Sequence, residues 1–96
     1  MALTNNGVPK WILEFDNKAL KQAKKIDRKT LIRIRDFLEN RVAILEDPRT
    51  IGKPMLGEYS DYWRYRVGDY RIMCKIYENT ITIMVMKIGH RREVYR

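Results

Sequence analysis

The 96-residue chain has one cysteine and one histidine. A lone thiol, Cys74, excludes an internal disulfide and gives no sign of an oxidising compartment. The same scarcity leaves too few soft ligands for a dedicated metal site, so no metal and no cofactor are expected. No segment is long and apolar enough to span a bilayer, and the N-terminus lacks the charged-then-apolar layout of a secretory signal. The cytoplasm is therefore the default compartment, without a membrane anchor. Also missing are paired carboxylates, a Gly-rich phosphate loop and a Ser/His/Asp set, so metal-dependent nuclease and hydrolase templates fit poorly. Internal repeats and low-complexity tracts are absent as well. Acidic residues are in the minority: 12 Asp and Glu stand against 20 Lys and Arg, a formal charge of +8. So strong a bias in a chain with room for one core points to an anionic partner: nucleic acid, an anionic surface or an acidic protein.

Residues 62–72, Tyr-Trp-Arg-Tyr-Arg-Val-Gly-Asp-Tyr-Arg-Ile, read as two strands joined by a tight Gly-Asp turn. With Gly68 and Asp69 as the loop, Val67 pairs with Tyr70, Arg66 with Arg71, Tyr65 with Ile72 and Arg64 with Met73. Alternation then gives one face Trp63, Tyr65, Val67, Tyr70, Ile72 and Cys74, and the other Arg64, Arg66 and Arg71. Arg66 and Arg71 sit directly opposite. Like charges so placed destabilise a ladder, and a polyanion held against that face explains the choice.

Around this hairpin the chain reads in order. Residues 1–9 are a polar, Gly- and Pro-punctuated leader, and residues 10–96 form a single domain. A first strand over residues 10–15 carries Trp11, Leu13 and Phe15 on one face. Asp16 can cap a helix over about 17–26, and Asp27 a longer one in which Leu31, Ile34, Leu38, Val42 and Leu45 recur at helical spacing. Asp47-Pro48 ends it. Lys18, Lys21, Lys24, Lys25, Arg28, Lys29, Arg33 and Arg35 form an outer basic surface, whose usual meaning is solvation and whose alternative meaning is phosphate tracking. Residues 48–61 read as an irregular connection. The hairpin follows, then a turn at Glu78-Asn79 and a strand over 80–88, apolar on both faces and so near the middle of the sheet. Gly89 closes it. The fold class is α+β: strand, helix, helix, then a three-strand antiparallel meander, with a helical hairpin on one face of a small, mostly antiparallel sheet.

Arg64, Arg66 and Arg71, joined by Arg91, offer planar forks suited to phosphate. Such groups stabilise the extra charge of a pentacoordinate transition state, and losing one typically costs ~3–4 kcal/mol of activation free energy. Arginine does not readily supply a general acid or base. His90 has the only unperturbed pKa suited to proton transfer at neutral pH, although a surface histidine in a basic tail is the plainer reading. Surrounding arginines would favour the phenolate of Tyr95, which could equally be a core or stacking aromatic. Glu93 could act as a base or pair with Arg91 or Arg92. Tyr62 could stack on a base or simply fill a sheet edge. Lys53 precedes the hairpin closely enough to flank its basic face.

Two stretches, Trp63-Arg64-Tyr65-Arg66-Val67-Gly68-Asp69-Tyr70-Arg71-Ile72 and Ile88-Gly89-His90-Arg91-Arg92-Glu93-Val94-Tyr95, resemble the RelE-type toxins of the RelE/ParE superfamily. The likeness runs over nearly the whole chain. It implies a RelE-like fold and a metal-independent endoribonuclease that cuts mRNA in the ribosomal A site, where the 2′-OH attacks the adjacent phosphate. It further implies that Arg64 and Arg66 occupy the basic positions of the first meander strand. Arg71 and Arg91 would stabilise the phosphate, and Tyr95 would activate or orient the 2′-OH. The RNA-contacting set would be Lys53, Arg64, Arg66, Arg71, Arg91 and Arg92. One departure matters. Some members have lysines where this chain has Arg64 and Arg66, which leaves the proton donor to the leaving oxygen unassigned, with His90 as candidate. The implied partners are the 70S ribosome with mRNA and an acidic RelB-like antitoxin, through which the toxin–antitoxin complex would bind operator DNA. A ParE-like gyrase inhibitor and a non-catalytic RNA-binding module are the competing readings.

Overall fold

A computed structural model describes residues 10–91. The expected leader, and Arg92, Glu93 and Tyr95, lie outside the described residues. The first strand, β1 (Ile12–Phe15), buries Leu13 and Phe15 partly while Ile12 and Glu14 face solvent. Asp16 ends it and caps α1 (Asn17–Ala23), its carboxylate accepting from the Lys18 N–H at 3.1 Å. Asp27 likewise caps α2 (Arg28–Phe37), accepting from the Thr30 N–H at 3.0 Å. Both caps satisfy donors that a helix start leaves unpaired.

The second helix stops short of the expected Asp47. Residues Leu38–Val42 widen into a π-helical turn in which the Ala43 N–H reaches the Leu38 carbonyl at 2.9 Å. Leu38, Val42 and Ala43 are thereby fully buried. The freed Ala43 carbonyl accepts the Lys10 and Trp11 N–H groups, and the Trp11 indole donates to the Leu45 carbonyl at 3.1 Å. Tertiary bonds to the start of β1 thus replace the last helical turns.

Residues 48–61 are more ordered than their composition suggests. Pro48–Ile51 form a single 3₁₀ turn capped by Asp47, and Lys53–Pro54 make a two-residue strand, β2. Pro54, which has no N–H, is tolerated because β2 is an edge. Next come β3 (Trp63–Val67), β4 (Tyr70–Tyr77) and β5 (Thr82–His90). The five strands lie in the order β1-β5-β4-β3-β2, with β1 parallel to β5 and every other pair antiparallel. The last strand starts and ends two residues later than the expected 80–88. Ile81 belongs to the preceding loop with φ of 49°, a strained setting for a β-branched side chain.

The hairpin register is the expected one, from Val67 opposite Tyr70 to Trp63 opposite Cys74. Its apolar face meets Ala19, Ala23, Ile34 and Leu38 of the helical layer in one core, with Ile72, Cys74, Ile83 and Val85 beneath them. Tyr65 is the hub. Its hydroxyl donates to the Pro48 carbonyl at 2.6 Å, and its ring lies so close to Gly52 that a Cβ there would stand 2.9 Å from Cε1. Between β4 and β5 the register shifts at Met73/Cys74: Met73 faces Lys87 and Cys74 faces Val85, leaving Met86 as an extra residue.

Candidate nucleic-acid interface

The helices cover one face of the sheet, and the arginines define the other. Gly68 takes φ of 58°, as a two-residue hairpin turn requires of one of its central residues. The turn fixes two rows on the uncovered face. One runs Arg66, Arg71, Gly89 across β3, β4 and β5; the next runs Lys53, Arg64, Met73, Lys87 across β2 to β5. Arg66 is exposed and Arg64 half-buried.

Arg71 departs from the expected picture of a side chain projecting freely from the sheet. It is only 7% exposed. Its Nη1 touches the Gly68 and Tyr70 carbonyls at 3.5 and 3.4 Å, near the limit of a hydrogen bond, and its buried Nε has no partner. No carboxylate pairs with it among the described residues. A charged group stripped of water and left under-bonded is costly unless something anionic completes it. Arg91 is brought to the same end of the molecule, because its N–H donates to the Asp69 carbonyl in the hairpin turn at 2.8 Å.

His90 is not part of this arrangement. Since β5 continues through Gly89, alternation turns His90 to the helix-covered side, opposite Tyr70, whose ring it meets edge-on at 5.6 Å. There it borders a cleft of about 680 Å³ beside Gln22, Lys25 and Ile26. Parity thus places His90, the expected proton donor, on the other side of the sheet from Arg66 and Arg71. Tyr62 is not a free stacking platform either. Its ring packs edge-on against Tyr59 at 5.5 Å and carries the Lys75 ammonium at 5.1 Å, and Lys75 also pairs with Asp61 at 3.7 Å. Lys53, at the outer end of its row, is exposed.

Reading the sequence by strict alternation missed Lys87. An unbroken strand would give it the parity of Val85 and aim it at the helices; the extra residue at Met86 reverses this and places it with Arg64 and Met73. The signal was available in the spacing of Val85 and Ile88, both buried yet three residues apart. Lys87 borders a small groove with Asp16, Lys18, Tyr62, Met73 and Met86. Burial pushes the Cys74 thiol well above its usual range, so it stays neutral and is no nucleophile. Among the described residues no group of three or more His, Cys, Asp or Glu side chains gathers that could hold a metal ion.

A family model described as the ParE toxin of type II toxin–antitoxin systems, parDE, matches residues 13–95. The chain belongs to this family of type II toxins. Proteins that bear the RelE name are among those it is similar to. Toxin RelG of Mycobacterium tuberculosis is 23% identical over 86 residues, covering 90% of this chain and 97% of that protein. The RelBE2 toxin–antitoxin complex of the same organism contains a chain of the same fold, with a TM-score of 0.78 at 20% identity, covering 93% of this chain and all of that one. An arginine-to-alanine double mutant of E. coli toxin RelE, in the free state, gives 0.68 at 24% identity over 90% of each chain. For this toxin, the family match takes in the arginine hairpin, the row of Lys53, Arg64 and Lys87, and Arg91.

Proposed function

We propose that this toxin is a ribosome-dependent endoribonuclease that cuts mRNA in the A site without a catalytic metal. The observation that carries the reading is Arg71: a buried guanidinium across from Arg66, with an orphaned Nε and no carboxylate partner among the described residues. A phosphodiester completes it. Arg64, Arg66 and Arg91 add charge around the same phosphate, and their donors meet the oxygens on which charge develops as the 2′-oxygen attacks phosphorus and the 5′-oxygen leaves. Tyr95 is assigned the 2′-OH from the family resemblance, and Lys53 and Arg92, which flank the arginine face along the chain, are assigned the neighbouring phosphates. An acidic, RelB-like antitoxin covers the basic face and neutralises the toxin. The complex binds operator DNA through that antitoxin, and the site of action is the cytoplasm, where translation runs.

Toeprinting on translating ribosomes with purified protein tests this. Codon-specific cuts in the A site are expected. The match to ParE toxins keeps the competing ParE-like reading in view, inhibition of gyrase, which the resemblance also implies. Double-strand breaks in plasmid DNA with gyrase, and intact mRNA, would establish that reading instead. RNA binding with neither kind of cut would reduce the protein to a binding module.

A further inference from the structure

We infer that Lys87 donates the proton to the departing 5′-oxygen, an inference that rests on the ribonuclease reading above. The reaction needs a donor that arginine does not readily provide at neutral pH, and His90, the obvious candidate, lies on the opposite face of the sheet. Three lysines of the sheet share the arginine face, and Lys18, which belongs to α1 and to no strand, borders the same groove as Lys87. Lys75 is engaged by Asp61 and by the Tyr62 ring. Lys53 sits on the outer edge, with Arg64 between it and the rest of the row.

Lys87 is placed differently. Arg64, Met73 and Lys87 are successive partners across β3, β4 and β5, so Arg64 and Lys87 flank Met73 with ~10 Å between their strands. Two long side chains can converge on one phosphate over Met73 from that distance. Along β5, Lys87 is two residues from Gly89, which faces Arg71 and presents no side chain of its own. The cleared ground in front of Gly89 is thus bordered by Arg71 on one side and Lys87 on another. No ion pair or hydrogen bond occupies the Lys87 ammonium among the described residues. Only the register shift at Met86 gives Lys87 this direction, and bulges of this kind often re-aim a side chain beside an active site.

The step balances without an oxidant or a metal. The 2′-oxygen forms a bond to phosphorus and releases its proton to water. The bond from phosphorus to the 5′-oxygen breaks, and that oxygen takes a proton from the Lys87 ammonium. The amine then regains a proton from solvent, leaving a 2′,3′-cyclic phosphate and a 5′-hydroxyl.

The test uses single-turnover cleavage of ribosome-bound mRNA by wild type, K87A and K87R. It compares an ordinary message with one carrying a bridging 5′-phosphorothiolate at the cut linkage, because sulfur leaves without being protonated. Loss of a general acid typically costs ~10²–10⁴-fold, so both variants should cut the ordinary message that much more slowly. K87A should cut the thiolate linkage within a few-fold of wild type, which also shows that the variant is folded. Normal cleavage by K87A, full rescue by K87R, or an equal defect on the thiolate message would each overturn the role while leaving the ribonuclease reading intact. Failure of wild type to cut either message would overturn both.

Discussion

At the scale of single residues, Arg71 is the side chain whose position fold stability does not explain. It is buried, faces Arg66 and has an unsatisfied Nε, so it contributes unfavourable charge to the isolated fold. Replacing an unpaired buried charge with an apolar side chain of similar size is often neutral or stabilising. We therefore expect Arg71→Met to raise the unfolding free energy by on the order of 1 kcal/mol in urea titrations while abolishing growth inhibition. A loss of stability instead would make Arg71 a structural residue and remove the chief support for an anion site. Arg91→Ala belongs to the same argument with the opposite balance. Its side chain is exposed, so stability should hardly change, whereas cleavage in the toeprinting assay should fall ~10²–10³-fold if it stabilises the transition state. Which arginines lie on the open face was legible from a Gly-Asp turn and a period of two. The burial of Arg71 was not, because it depends on tertiary packing that a period of two does not encode.

Among the elements, β3 is held by more than its ladder. The Tyr65 hydroxyl is tied to Pro48 and its ring lies on Gly52, so the connection that reads as irregular is fitted to the strand that carries Arg64 and Arg66. Gly52→Ala would force a Cβ against a ring that its hydroxyl bond prevents from moving aside. Overpacking of this kind costs ~1–3 kcal/mol, to be read from the urea midpoint at unchanged slope. The helix caps predict an acid response. Hydrogen bonds from the Thr30 side chain and N–H hold the Asp27 carboxyl below its usual range, and the Arg49 N–H does the same for Asp47. A depressed folded pKa means stability that is present above the unfolded value and is lost as pH falls through the folded one. Amide exchange at the start of α2 should therefore accelerate below about pH 4, and Asp27→Asn should remove that pH dependence while keeping an acceptor at the cap. The hairpin, both caps and the apolar stripe of α2 could be read locally. Three features could not: a two-residue edge strand has too few residues for a pattern, the parallel seat of β1 is set by distant partners, and the shift at Met86 reverses parity. That reversal explains why Lys87 was not expected on the arginine face.

Over the whole molecule, basic side chains occupy two separate surfaces, and salt dependence distinguishes their roles. Lys21, Lys24 and Lys25 are exposed on or just after α1, the helix that covers the side of the sheet away from the arginines, whereas Lys18 borders the groove shared with Met73 and Lys87. Lys53, Arg64, Arg66 and Lys87 line the other side. A net charge of +8 drives association with any polyanion, so affinity at one salt concentration says little about which surface is used. Each phosphate neutralised on a single strand contributes about −0.7 to the slope of log K against log salt. If the strand lies along the arginine face, Lys53→Ala should make that slope shallower by ~0.7 in anisotropy titrations of a labelled single-stranded RNA. Lys21→Ala and Lys24→Ala should then leave the slope unchanged. The reverse result would place the RNA on the helices, and the under-bonded Arg71 would need a different anion to complete it.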